Sequence, residues 1–291
     1  MPELPEVETI TRKIRPDLEG REILGSRVSW TRTLGGYSRP RFERAIAGAR
    51  AVRVWRRGKF IVVDLERDRR SGGGPAPAGA LVIHLRMTGR LHVGPPEDEI
   101  DPYVRVALDL DDGRELRFVD VRKFGRFRFT TRPEELFAPL GPEPLGEEFT
   151  ADWLAAALKR RRRMLKPLLL DQTFVAGLGN IYVDESLFRA RIHPLTRSDS
   201  LTRRRVDVLH GEIRATLAEA IEREGSSFDS FYRTPEGRPG SYQHLFRVYG
   251  RDGQPCRRCG RMLVKITVGQ RGTHLCRGCQ RAPRRRRILP P

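Results

Sequence analysis

Cysteine is missing from the first 255 of 291 residues, and the four that exist fall in the last fifth, as CRRC (256–259) and CRGC (276–279). That excludes a disulfide framework spanning the chain. No apolar run approaches the ~20 residues of a membrane helix, so no bilayer span is expected. The acidic, proline-containing start is unlike a secretory leader, and the cytoplasm is the default compartment. Lysine is rare, with six among 56 basic residues, and acids number only 37. Arginine preference can explain the missing lysines but not the net charge of +19. A pI near 10.9 calls for a polyanion, and nucleic acid fits better than a membrane because no basic amphipathic anchor stands out.

What is present begins with those cysteines. Two C-x-x-C pairs separated by sixteen residues supply four thiolates, the donor set of one tetrahedral structural zinc. A redox C-x-x-C would be single and set in a βαβ unit. Residues 20–130 read mostly as strands: ARAVRVWRRG, KFIVVDLE, ALVIHLRM, YVRVALDL, RELRFVD and GRFRFT are short and β-rich at sandwich-like spacing. RPRFERAI reads as a short helix. RDRRSGGGPAPAG (67–79) reads as a flexible hairpin extension. The Pro- and Gly-bearing 137–150 is a linker, after which the pattern turns helical: TADWLAAALKR behind a capping Thr150, then segments near 164–172 and 183–190. From Ser200 to about Glu224, Val206, Leu209, Ile213, Leu217 and Ile221 share one face. Residues 224–242 form a polar loop, and MLVKITV and RGTHL make a hairpin between the cysteine pairs. The division expected is a 1–136 β-sandwich domain with flanking helices, a 137–150 linker, a 151–242 helical domain, a 243–282 zinc finger, and a disordered basic tail at 283–291, an α+β chain overall.

The opening MPELPEVETI admits two readings. Pro5 suits a first helical position, and Glu6 and Glu8 suit the positive end of the helix dipole. That leaves Pro2 and Glu3 unexplained. Methionine is usually removed ahead of proline, which would bare a secondary amine, a nucleophile toward carbonyl or anomeric carbon. Its imine has no N–H to lose, stays cationic and favours elimination at the adjacent carbon. Glu3 beside it can move protons at a sugar ring.

MPELPEVET, RRGKF, VIHLRMTG, VRKFG, LGPEPL, LKPLLLDQTFVAGLGNIYVDESLF, VYGRDGQPC and QRGTHLC, in that order from Pro2 to Gln280, resemble the blocks of the formamidopyrimidine-DNA glycosylase family. The resemblance implies a two-layer sandwich, a helix–two-turn–helix domain and a zinc-finger hairpin. It also implies excision of oxidised purines from double-stranded DNA, followed by cleavage of the abasic site, by a monomer needing no redox or nucleotide cofactor. Pro2 would be the nucleophile, Glu3 the proton donor with Glu6 in support, Lys59 the donor in β-elimination and Arg271 the δ-elimination arginine. Cys256, Cys259, Cys276 and Cys279 would hold zinc as scaffold. Met87, Arg122 and Phe124 would fill the gap left by an everted nucleotide. Arg161, Lys166, Asn180 and Tyr103 would contact the DNA backbone, with Gly177, Gly179 and Tyr249 nearby. A chromosomal, nucleoid-associated location follows.

The chain departs from the family's pattern at four places. Arg86 stands for a glycine in the Met87 block, Lys123 for a second arginine beside Phe124, Tyr103 for a histidine, and Asp229 near a lysine of the lesion loop. Two other readings remain: an endonuclease VIII-like enzyme for oxidised pyrimidines, against which Leu4, Arg122 and Phe124 speak, and a noncatalytic zinc-ribbon binder, which leaves Pro2, Glu3 and Lys59 unexplained.

Overall fold

The computed structural model describes residues 1–68, 74–96, 101–227 and 232–283. It divides into two compact units: Met1–Pro139 with Ala220–Gln243, and Leu140–Glu219 with His244–Pro291.

In the first unit, α1 (Leu4–Leu18) is followed by β1 (Glu22–Val28), α2 (Arg39–Ile46), β2 (Ala49–Arg57), β3 (Phe60–Asp68), β4 (Pro75–His84), β5 (Gly89–Gly94), β6 (Val104–Leu110), β7 (Glu115–Asp120), β8 (Arg126–Thr130) and α3 (Pro133–Phe137). The strands form one antiparallel sheet in the order β5-β7-β6-β1-β2-β3-β4-β8. Phe118 on β7 and Phe127 on β8 are far apart in that order, yet their ring centroids lie 5.8 Å apart. The sheet therefore folds over itself into two layers, helped by register shifts in β1, β2, β4 and β6 that bend the strands. Val7, Ile10, Ile14 and Leu18 turn one stripe of α1 into the core between the layers.

Two strands were not foreseen individually, β1 and β5, and β4 begins earlier than its apolar run. Glu66, Arg67 and Asp68 pair with Pro77, Ala76 and Pro75, so the ends of the 67–79 run are strand; residues 69–73 lie outside the described residues. Proline is tolerated there because β8 pairs only with Ala80–His84, leaving Pro75 and Pro77 no ladder bond to supply on that side. The 220–243 segment also belongs with the first unit rather than with a 151–242 domain. Glu6 accepts the Ser226 amide at 2.7 Å, Lys13 pairs with Glu224 at 2.7 Å and Glu236 at 2.9 Å, and Tyr232 enters the core.

In the second unit, α4 (Ala151–Arg161), α5 (Leu165–Leu170), α6 (Asn180–Arg189) and most of α7 (Arg203–Glu222) precede the hairpin β9 (Val264–Val268) and β10 (Arg271–Leu275). Thr150 caps α4 through the Trp153 amide at 3.0 Å. Leu154, Leu158, Leu165, Leu169, Tyr182, Leu187, Leu209, Ile213 and Leu217 are buried, and Arg189 of α6 pairs with Glu212 and Glu219 on α7. No helix among the described residues is long and apolar enough to cross a membrane.

Candidate nucleic-acid interface and catalytic residues

Pro2 and Glu3 are buried immediately ahead of α1, in extended backbone. The Glu3 amide donates to Glu6 Oε2 at 2.8 Å, and Glu6 Oε1 accepts the Ser226 amide. Glu6 thus fixes both the turn that presents Pro2 and the start of the 226 loop. Lys59 sits at the two-residue turn between β2 and β3 and is largely buried. A chain of side chains ties this turn to α1: Glu8 Oε2 accepts Arg56 Nε at 2.8 Å, and Arg56 Nη1 donates to the Gly58 carbonyl at 2.9 Å. Burial raises the Glu8 carboxyl but is outweighed by Arg56 and Arg12, which hold it below its usual range. Glu8 is therefore a carboxylate, and the tether is ionic.

Met87 and Phe124 are exposed large apolar residues, at 40% and 48%, and Arg122 joins them. Arg122 Nη1 lies 3.2 Å from Met87 Sδ, and its guanidinium carbon stands 4.9 Å from the Phe124 ring centroid. The structure therefore brings Met87 together with Arg122 and Phe124, 35 or more positions away, into one cluster. Met87 and Phe124 each follow a cation held in the left-handed region: Arg86 at φ 55° and Lys123 at φ 60°. A residue carrying a Cβ costs roughly 1–2 kcal/mol there, so an arginine in place of glycine at position 86 adds strain where the loop turns. Tyr103 is exposed, with its amide on Asp101 Oδ1 and Arg105 over its ring. Asp229 lies outside the described residues.

In the second unit Arg161 ends α4, exposed. Arg271 is exposed at the first position of β10, directly after Gly269 and Gln270, whose φ values of 54° and 61° mark a two-residue turn of the tight hairpin kind. Lys166 corrects an expectation. It is wholly buried, its ammonium 2.7 Å from Asp184 Oδ1 and 3.0 Å from the Gly272 carbonyl, so it holds the hairpin rather than presenting a charge to phosphate. Asp184 Oδ2 accepts the His274 amide at 2.8 Å, and Asn180 Nδ2 donates to the same Gly272 carbonyl at 3.0 Å. Asn180 thus shares a partner with Lys166 beside the Arg271 turn. Glu185 accepts the amides of Arg247, Val248 and Tyr249; burial pushes its carboxyl up, opposed by those three donors. Asp184 and Glu185 lie in the segment IYVDESLF, but no spacing rule distinguishes an acid that organises a hairpin from one on a solvated helix face.

The sulfur atoms of Cys256, Cys259, Cys276 and Cys279 lie within 4.8 Å of one another. Tetrahedral zinc with bonds near ~2.3 Å sets sulfurs about 3.8 Å apart, and the 256–279 and 259–276 pairs stand at 3.9 and 3.4 Å. The site fits one structural zinc ion with no ligand position left open.

A curled sandwich with an N-terminal Pro-Glu pair, a helical unit and a four-cysteine hairpin define a zinc-finger protein of the DNA-glycosylase class. Residues 1–127 match the formamidopyrimidine-DNA glycosylase N-terminal domain, 140–231 its H2TH domain, and 253–282 the zinc finger found in FPG and IleRS. The formamidopyrimidine-DNA glycosylase of Chloroflexus aurantiacus is 45% identical over 96% of this chain and 98% of its own. The solved MutM (Fpg) protein of Thermus thermophilus superposes at a TM-score of 0.82, with 41% identity over 96% of this chain and 98% of that one. Lactococcus lactis Fpg, solved with DNA containing N7-benzyl-Fapy-dG, gives 0.85 at 32% identity, covering 97% and 100%. The chain belongs to the formamidopyrimidine-DNA glycosylase family.

Proposed function

We propose that this protein excises oxidised purines from duplex DNA and cleaves the resulting abasic site, with Pro2 as the nucleophile. The buried Pro2–Glu3 pair, fixed by Glu6 at the head of α1, carries the reading. Family membership supports the glycosylase activity, and the Lactococcus lactis relative binds lesion-bearing DNA.

Once Met1 is removed, the Pro2 nitrogen lone pair forms a bond to C1′ while the glycosidic bond breaks, and its electrons leave with the base. Glu3 supplies a proton in this step. Ring opening leaves an iminium with no N–H to lose, so it is the C2′ proton that departs; the resulting enamine's electrons expel the 3′ phosphate and restore a conjugated iminium, with Lys59 serving proton transfer. Arg271 assists the second elimination, at the 5′ side. Met87, Arg122 and Phe124 enter the gap in the stack, and Arg161, Asn180 and Tyr103 contact the backbone. Zinc, when bound, fixes the Arg271 hairpin. The work belongs at chromosomal DNA in the cytoplasm.

Borohydride should trap a covalent complex on duplex DNA bearing 8-oxoguanine, with peptide mass spectrometry placing the deoxyribose on Pro2. Protein retaining Met1, whose Pro2 nitrogen is an amide, should not trap. An adduct on a lysine would overturn the assignment, and strong binding without any adduct would favour a noncatalytic zinc-ribbon binder.

A further inference from the structure

We infer that Asp120 is a positioning residue for base-pair opening, a single buried carboxylate that locks together the two loops carrying Met87, Arg122 and Phe124. It rests on the role proposed above for those three side chains. Asp120 closes β7 and is 1% exposed. Its Oδ1 accepts the hydroxyl of Thr88, the neighbour of Met87, and Thr88 Oγ1 in turn accepts the Arg122 amide at 3.2 Å. Its Oδ2 accepts the amide of Gly125, the neighbour of Phe124, at 2.7 Å. The Asp120 amide donates to the Tyr103 carbonyl at 2.9 Å, and its carbonyl accepts Arg105 Nε at 2.7 Å. Tyr103 is thus one bond from this aspartate, Met87 and Phe124 one residue beyond a bond, and Arg122 two bonds away through Thr88.

An aspartate that merely stabilised the β7–β8 turn would need only local donors such as Gly125. The bond to Thr88, 32 positions away on another loop, does something a turn does not require. It sets the Met87 loop against the Arg122–Phe124 turn, and the relay through Thr88 orients the Arg122 backbone itself. Gly125 permits the approach: a Cβ there would fall 2.3 Å from the Phe118 ring and 3.0 Å from Asp120 Oδ2. The left-handed Arg86 and Lys123 beside the wedges add strain that these bonds offset. A wedge entering a base stack must resist being pushed back, and preorganisation by a buried acceptor supplies that resistance.

The test uses full-length, zinc-loaded protein lacking Met1, and two substrates. One is a duplex with 8-oxoguanine opposite cytosine, which must be opened; the other is a single strand with a preformed abasic site, which need not be. Asp120→Ala should lose tenfold or more on the duplex and less than twofold on the single strand. Thr88→Val should act in the same direction, while Thr88→Ser, which keeps the hydroxyl, should stay within twofold of the parent on both. 2-Aminopurine beside the lesion should show slower wedge insertion in Asp120→Ala and Thr88→Val. Equal losses on the two substrates, or a Thr88→Val variant as fast as Thr88→Ser on the duplex, would overturn the inference. Should the parent fail to release 8-oxoguanine, the proposed function fails, while 2-aminopurine insertion at an abasic duplex still decides the role of Asp120.

Discussion

His84 shows how one side chain sets conditions for its neighbours. It ends β4, edge-on to Phe60 at 4.8 Å, and its Nδ1 accepts the Arg86 amide at 3.0 Å, holding the turn into the left-handed residue. Burial first, then the charges of Arg86 and Lys59, push its pKa down from 6.5 to about 3. It is neutral at physiological pH, which keeps Nδ1 free to accept and adds no cation beside Lys59. The linkage has a definite sign. Below pH 6.5 the unfolded chain binds a proton that the folded one refuses, so the stability present above that pH is lost as pH falls toward 3. At pH 5 the loss from this group is about 2 kcal/mol, at ~1.4 kcal/mol per unit. Urea unfolding at pH 7.5 and pH 5 should therefore show a smaller decline for His84→Gln than for the parent, by about that amount. Equal declines would mean that His84 titrates normally.

At the scale of elements, the contact of α5, α6 and β10 makes a sharper claim. Lys166, Asp184 and the Gly272 carbonyl form a dry ionic joint. Asp184→Leu strands the ammonium and should cost about 3–5 kcal/mol. Adding Lys166→Met should recover most of that, since an apolar pair of similar volume avoids the burial of charge. It would not restore the bonds from Lys166 to Gly272 and from the His274 amide to Asp184. The double variant should thus melt near the parent yet give less δ-elimination product relative to β product. An unchanged product ratio on gels would mean that zinc alone positions the hairpin. The joint also shows where sequence reading stops. α1, α2, α4 and α7 were legible because their apolar residues recur at helical spacing, and the cysteines because few chemistries need four thiols at that spacing. β1 and β5 were not, being short, broken by Gly25 or bounded by Gly89 and Gly94. The Pro75–Gly79 run reads as flexible until its one-sided pairing is seen. Lys166 reads as a surface cation because burial is decided by partners 18 and 106 positions away, and Asp120 is silent for the same reason.

For the molecule as a whole, the net charge of +19 makes affinity for DNA largely a matter of counterion release. The logarithm of the binding constant should fall linearly with the logarithm of salt concentration, at about −0.9 per phosphate neutralised. Arg161 and Arg271 alone would give a slope near −1.8 by that rule; with so large a cationic excess the measured slope should be steeper. The residues should separate by kind. Arg161 lies exposed at the end of α4, and Arg161→Gln should make the slope shallower by about one, weakening lesion-bearing and undamaged duplexes alike. Met87 carries no charge; Met87→Ala should leave the slope unchanged and weaken only the lesion-bearing duplex, where the stack is opened. Lys166→Met combined with Asp184→Leu, which strands no charge, should also leave the slope unchanged, because a buried ammonium neutralised by Asp184 displaces no counterion. Fluorescence anisotropy from 50 to 200 mM salt measures all three. A slope lowered by that double variant as much as by Arg161→Gln would return the lysine to the DNA surface.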